Sequence, residues 1–104
     1  MDKGYALETT KRFLGELAKY IKIEKAFLFG SWAEGRAREE SDIDLLILSN
    51  NFENMDFWEK VKLLGKIKMQ LLEPIDAVGM TPAEFKKGGS LISEFAKKGE
   101  VVYG

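Results

Sequence analysis

Residues Phe27 to Leu48 read FLFGSWAEGRAREESDIDLLIL. The apolar run Ala26 to Phe29 stops at Gly30, and a second run, Ile43 to Leu48, is aliphatic at every position but Asp44. Neither run has a helical period, so each predicts a short buried strand. Ser31 to about Arg38 between them starts as a helical turn and becomes a polar loop. The second strand is entered through Asp42 and Asp44, spaced i, i+2. In extended chain such residues point the same way, with Cα atoms about 6.5 Å apart, so the two carboxylates share one face while Ile43 and Leu45 take the other.

Working outward, Leu7, Leu14, Leu17, Ala18 and Ile21 fall at helical spacing and predict a first helix over roughly residues 6–21. Beyond Leu48, Asn50, Asn51 and Asn54 mark a turn. Asp56 with Glu59 forms a capping box ahead of Phe57, Val61, Leu64, Leu71 and Leu72, a long helix that Pro74 stops. Ile75 to Met80 reads as a third strand. Thr81-Pro82-Ala83-Glu84 combines an N-cap hydroxyl, a proline at the first helical position and a glutamate three residues after the cap. Gly88-Gly89 ends that helix. Residues 90–98 read as another, with Leu91, Ile92, Phe95 and Ala96 inward, and Val101 to Tyr103 as a last strand. Helices and strands alternate without a clean βαβ series, so the expected fold is α+β (mixed α/β), a small mixed sheet flanked by helices. At 104 residues, the chain is expected to form one domain, 1–104, with a modest core. An exposed sheet edge at Val101–Tyr103 would allow pairing with a partner or a second copy.

Sixteen basic against seventeen acidic residues leave a formal charge of −1, so no overall field draws the chain to nucleic acid or membrane. No apolar stretch reaches the roughly 20 residues that span a bilayer, and the N-terminus lacks a signal-peptide core, so the expected location is the cytoplasm. Cysteine and histidine are absent. That excludes thiol nucleophiles, disulfides, the usual zinc ligand sets and histidine general bases. Chemistry must come from carboxylates, hydroxyls, lysine or arginine, with a hard metal such as Mg²⁺.

Two ionised carboxylates at the mouth of an apolar strand repel unless something positive lies between them. A proton would serve; a pair of divalent cations about 3.5–4 Å apart is the arrangement used for in-line displacement at phosphorus. The plainer alternative is that Asp42 caps the turn after Ser41 and Asp44 is a solvated strand end. Gly30-Ser31, a strand end followed by a helical turn, is either a simple N-cap or an anion site of backbone N–H groups and a hydroxyl. Two other motifs fail. Gly30 and Gly35 have P-loop spacing, but Arg36 and Ala37 stand where Lys and Ser/Thr are needed. A calcium loop from Asp42 would put Leu46 and Ile47 where a ligand and a glycine belong.

Gly30-Ser31, ten residues, then Asp42-x-Asp44 resembles the signature of the minimal nucleotidyltransferases (MNT domains) of the DNA polymerase beta-like superfamily. The resemblance extends to Pro74-Ile75-Asp76-Ala77-Val78, where the family carries a third carboxylate, and to the closing Gly99-Glu100-Val101-Val102-Tyr103. It implies the nucleotidyltransferase fold, with Asp42 and Asp44 holding two Mg²⁺ (or Mn²⁺) ions and Asp76 completing the site of the ion that activates the attacking hydroxyl. Gly30 and Ser31 would bind the triphosphate of ATP or another NTP, and Arg36 or Arg38 would neutralise charge on the leaving pyrophosphate. Glu34 stands where many relatives have a basic residue. Trp32 is either a base-stacking platform or a packed aromatic under the turn. By resemblance the acceptor is a hydroxyl of a HEPN-domain toxin, with this chain as antitoxin. The alternatives are a weak or inactive nucleotide-binding module that occludes its partner, and a stand-alone enzyme for a small alcohol.

Overall fold

The computed structural model describes residues 3–38 and 41–104, and the strand entered through the aspartates lies inside its sheet. Strand β1 (Lys25–Phe29) pairs antiparallel with β2 (Ile43–Leu48) on one side and with β4 (Glu100–Tyr103) on the other. Strand β3 (Ile75–Met80) pairs parallel with β2, giving the order β3-β2-β1-β4. Parallel neighbours need a long crossover, which helix α3 (Phe57–Leu71) supplies after a 3-10 turn at Asn50–Asn54. The short helix α2 (Ser31–Glu34) sits in the β1–β2 connection, and α4 (Pro82–Lys87) and α5 (Leu91–Lys97) join β3 to β4.

Both sheet faces are covered, which is why β2 is a continuous apolar run. Ile43, Leu45 and Ile47 pack with Ala26 and Leu28 beneath α3 and helix α1 (Lys3–Leu17), meeting Phe13, Leu17, Leu64 and Ile67. Leu46 and Leu48 lie on the other face with Phe27, Phe29 and Met80, against Phe85 of α4 and Ile92 and Ala96 of α5. These two helices are short, and the end of this face that carries Asp44 and Asp76 stays accessible. Both capping boxes form: Glu59 N–H donates to Asp56 Oδ1 at 2.8 Å, and Glu84 N–H to Thr81 Oγ1 at 3.1 Å.

The fold class and strand positions match the expectation, while several helix faces differ. Helix α1 spans Lys3–Leu17 rather than 6–21, and its inner stripe is Ala6, Thr9, Thr10, Phe13, Leu14 and Leu17, leaving Leu7 outside. Two buried threonines in that stripe disguise its period. On α3 the expected inward residues Phe57, Val61 and Leu72 are exposed, because the helix buries only a narrow strip around Leu64 and Ile67. On α5, Leu91 and Phe95 are likewise exposed, and the contact is made by Ile92, Ser93 and Ala96. Strand β4 lies at a sheet edge, with Val101 and Tyr103 about half exposed. Among the described residues, no helix is long and apolar enough to cross a membrane.

Candidate functional site

Strand register brings the carboxylates together. Phe29, the last residue of β1, is the partner of Asp44 in β2, and across β2 Asp44 is the partner of Asp76 in β3. Register partners present their side chains to one face, so Asp44 and Asp76 are neighbours on the side that α5 partly covers. Asp42 precedes the strand by one residue and is exposed. Gly30 turns the chain away from β1 with φ 76 and ψ −154, a conformation open essentially to glycine alone. Its missing side chain matters, since a Cβ there would collide with Asp44 Oδ2. Ser31 opens α2, and its carbonyl accepts the Arg36 N–H at 2.9 Å.

Burial is the main reason that the Asp44 carboxyl is pushed up to about 6, with the charges of Asp76 and then Asp42 adding to it. None of the three carboxylates has a hydrogen bond or ion pair to another described residue. As they lie, no three acidic side chains among the described residues form a group that would hold an ion. Asp44 and Asp76 are the close pair and Asp42 flanks them. Hard oxygen donors at a half-buried strand end, without a partner among the described residues, fit Mg²⁺ or Mn²⁺ in their chemistry.

A cavity of about 440 Å³ lies between this acidic ledge and α5, a volume within the range of small-ligand sites. Gly30, Asp44 and Asp76 line it with Phe29, Ala33, Glu34 and Val78, and α5 with its joint to β4 contributes Ile92, Phe95, Lys98 and Gly99. Arg36 also lines it, but its guanidinium pairs with Glu34 at 2.7 Å. Ser31, Asp42 and Arg38 are not among the lining residues. The Arg38 N–H donates to Ser41 Oγ at 2.8 Å. A smaller groove shares Asp76 and Val78 with the cavity and runs under Phe57 and Val61 of α3.

A family model described as "Polymerase beta, Nucleotidyltransferase" matches residues 12–104. The chain belongs to the polymerase beta nucleotidyltransferase family. It is 34% identical over 97 residues to "Putative protein adenylyltransferase MJ0604" of Methanocaldococcus jannaschii, covering 89% of this chain and 93% of that protein. Two solved structures share the fold. One is "a putative nucleotidyltransferase from Sulfolobus solfataricus" (TM-score 0.68, 21% identity, 82% of this chain and 75% of that chain). The other is a chain from the tri-AMPylated Shewanella oneidensis HEPN toxin in complex with MNT antitoxin (TM-score 0.61, 16% identity, 98% of this chain and 72% of that chain).

In this nucleotidyltransferase Trp32 is not a base platform. Its side chain is buried, packs on the Tyr5 ring at 5.5 Å and donates from Nε1 to the Ser41 carbonyl at 3.1 Å. It therefore ties α2 to the residue before Asp42. Trp32→Phe is expected to lower stability by about 1–2 kcal/mol, from one lost hydrogen bond and a small void, which thermal melts will read.

Among the cavity's lining residues that the sequence did not single out for a site are Phe95 and Lys98. Phe95 was assigned to the core, and Lys98 is one of an adjacent pair of lysines at a helix end. The only sequence signal near them is Gly99. A Cβ there would run into the Leu28 carbonyl and the Phe29 backbone, so that glycine holds the α5–β4 joint against the end of β1.

Proposed function

We propose that this nucleotidyltransferase transfers AMP from ATP to a hydroxyl of a partner protein, that the partner is a HEPN-domain toxin, and that the transfer neutralises it. The observation that carries the catalytic part is the register pairing of Asp44 with Asp76, beside a Gly30 that leaves room for Asp44 alone. The acceptor part is supported by the adenylyltransferase name of the M. jannaschii relative and by the AMPylated HEPN toxin in the complex of like fold.

In this reading Asp42, Asp44 and Asp76 hold magnesium ions, and the triphosphate lies in the cavity with its phosphates toward the Gly30-Ser31 turn. The ions, when bound, supply positive charge to the reacting phosphoryl group and lower the pKa of the acceptor hydroxyl. The acceptor oxygen forms a bond to the α-phosphorus as the bond from that phosphorus to the bridging oxygen breaks, and the electron pair leaves with pyrophosphate. The Asp76 carboxylate, the most exposed member of the close pair, takes the hydroxyl proton. Holding hydroxyl and phosphorus in line removes the entropic part of the barrier. The groove under Phe57 and Val61 shares Asp76 with the cavity; Phe57, which lines it, is 64% exposed, and the Trp58 ring packed against Phe57 at 5.1 Å is 73% exposed. A hydroxyl-bearing segment of the partner arrives by that route, so the partner supplies what the acceptor site lacks.

A second reading is favoured by one contact. Glu34 pairs with Arg36 and so withdraws a cation from the cavity, as befits a module that binds nucleotide weakly and neutralises its partner by covering it. One experiment separates the two. The chain is incubated with α-³²P-labelled ATP, Mg²⁺ and a HEPN-domain protein, and label is followed on the partner. Transfer requires labelled partner with the wild type and none with Asp42→Asn or Asp76→Asn. Unlabelled but neutralised partner, equally so with both variants, would establish covering instead.

A further inference from the structure

We propose that Lys98 binds the triphosphate of the nucleotide, as the cation on the side of the cavity facing the carboxylates. This rests on the reading that the cavity takes a nucleoside triphosphate, and adds a residue from outside the Gly-Ser and aspartate motif. The cavity's charged lining is Glu34, Arg36, Asp44, Asp76 and Lys98. Glu34 and Arg36 pair at 2.7 Å, which leaves Lys98 as the cation of that lining without a carboxylate among the described residues.

Among the described residues its neighbourhood offers no alternative partner. Glu94, one helical turn back, pairs with Lys97 at 3.5 Å, and Glu100, two residues on, pairs with Lys3 at 2.7 Å. Among the described residues no ion pair is recorded for Lys98, and it is not among the charges that act on Asp44, all of which are acidic. The ammonium is thus neither neutralised by its own helix nor spent on the metal-binding carboxylates.

The backbone fixes where it stands. Phe29 has Asp44 beside it on β2, and on its other side Gly99 presses against Leu28 and Phe29 at the entry to β4. Lys98 therefore starts about two strand spacings, on the order of 10 Å, from Asp44, with the cavity between. Its backbone N–H donates to the Phe95 carbonyl at 3.2 Å, closing α5, so the side chain leaves from an anchored point. A polyphosphate held at one end beside the aspartates would present non-bridging oxygens to a cation at that separation. A compact ammonium with three donors suits a phosphate chain better than the nucleobase.

The test is calorimetric, on the whole chain with Mg²⁺, using α,β-methylene-ATP and inorganic tripolyphosphate as separate ligands. Lys98→Ala is expected to weaken both about tenfold, with the gap narrowing at high salt, and Lys98→Arg to recover most of the loss. Thermal melts of the variants should stay at the wild-type midpoint, since the side chain is exposed. Lys98→Ala binding both ligands as tightly as wild type overturns the assignment, and so does a loss seen with the nucleotide but not with tripolyphosphate. Wild type that binds neither ligand would instead bring down the reading of the cavity, and this inference with it.

Discussion

Asp44→Asn is expected to abolish transfer, by at least about a thousandfold, while making the metal-free protein more stable. The two effects share one cause. Asp44 lies half-buried between Phe29 and Asp76, with Asp42 two residues away and no cation beside it. Removing one carboxylate from a site that concentrates positive charge on a phosphoryl group costs about 4 kcal/mol of transition-state stabilisation, which is the thousandfold. Without metal the same carboxylate is a burden. Its carboxyl is pushed up to about 6 when folded, against an ordinary 3.8, so the folded state binds more protons than the unfolded chain between those values. Stability contributed by this group is therefore highest below about pH 4, falls as pH rises toward 6, and stays lost above it. Asparagine removes the charge and keeps the shape. At pH 7 it is expected to raise stability by about 1 kcal/mol after allowing for solvent screening, or roughly 5 °C in melting midpoint, with the advantage gone at pH 4. A lower midpoint for the variant at pH 7, or wild-type activity, would contradict this account.

Gly30→Ala is expected to damage both fold and site. At φ 76 and ψ −154 an alanine is strained by about 1–3 kcal/mol, and its methyl would displace the Asp44 carboxylate that it meets. The midpoint should fall by roughly 10 °C and transfer should drop to the level of Asp44→Asn. Gly35→Ala is the control. Gly35 also has a positive φ, of 74, but a Cβ there meets nothing within 4 Å. That substitution is expected to lower the midpoint and spare most activity measured at a temperature where the variant is folded. If Gly30→Ala and Gly35→Ala lose activity in the same proportion as stability, Gly30 serves only the turn.

The centre of the molecule was legible because local signals and tertiary demands agree there. Strands β2 and β3 are apolar runs bounded by turn residues, and both capping boxes form as their spacing requires. The helix faces were harder. Thr9 and Thr10 are polar residues in a buried stripe, and Phe57, Val61 and Phe95 are large apolar residues that stay exposed, so hydrophobic period alone misassigns them. At the candidate site the motif names residues that strand register then brings together, Gly30, Asp44 and Asp76. Lys98 was hidden because its place in the cavity depends on how α5 and Gly99 pack against β1, a contact between distant parts of the chain. The tie between Glu34 and Arg36 was equally invisible, since spacing allows the pair without requiring it.

The central claim is that Asp42, Asp44 and Asp76 together hold divalent ions against a nucleotide. Manganese titrated into the protein with saturating α,β-methylene-ATP, followed by electron paramagnetic resonance, tests it most directly. The account predicts about two ions in the protein–nucleotide complex, about one of them beyond the ion that the nucleotide binds alone, and that Asp44→Asn and Asp76→Asn each reduce this uptake. Full nucleotide binding with no protein-dependent manganese uptake, or uptake unchanged in both variants, would contradict it.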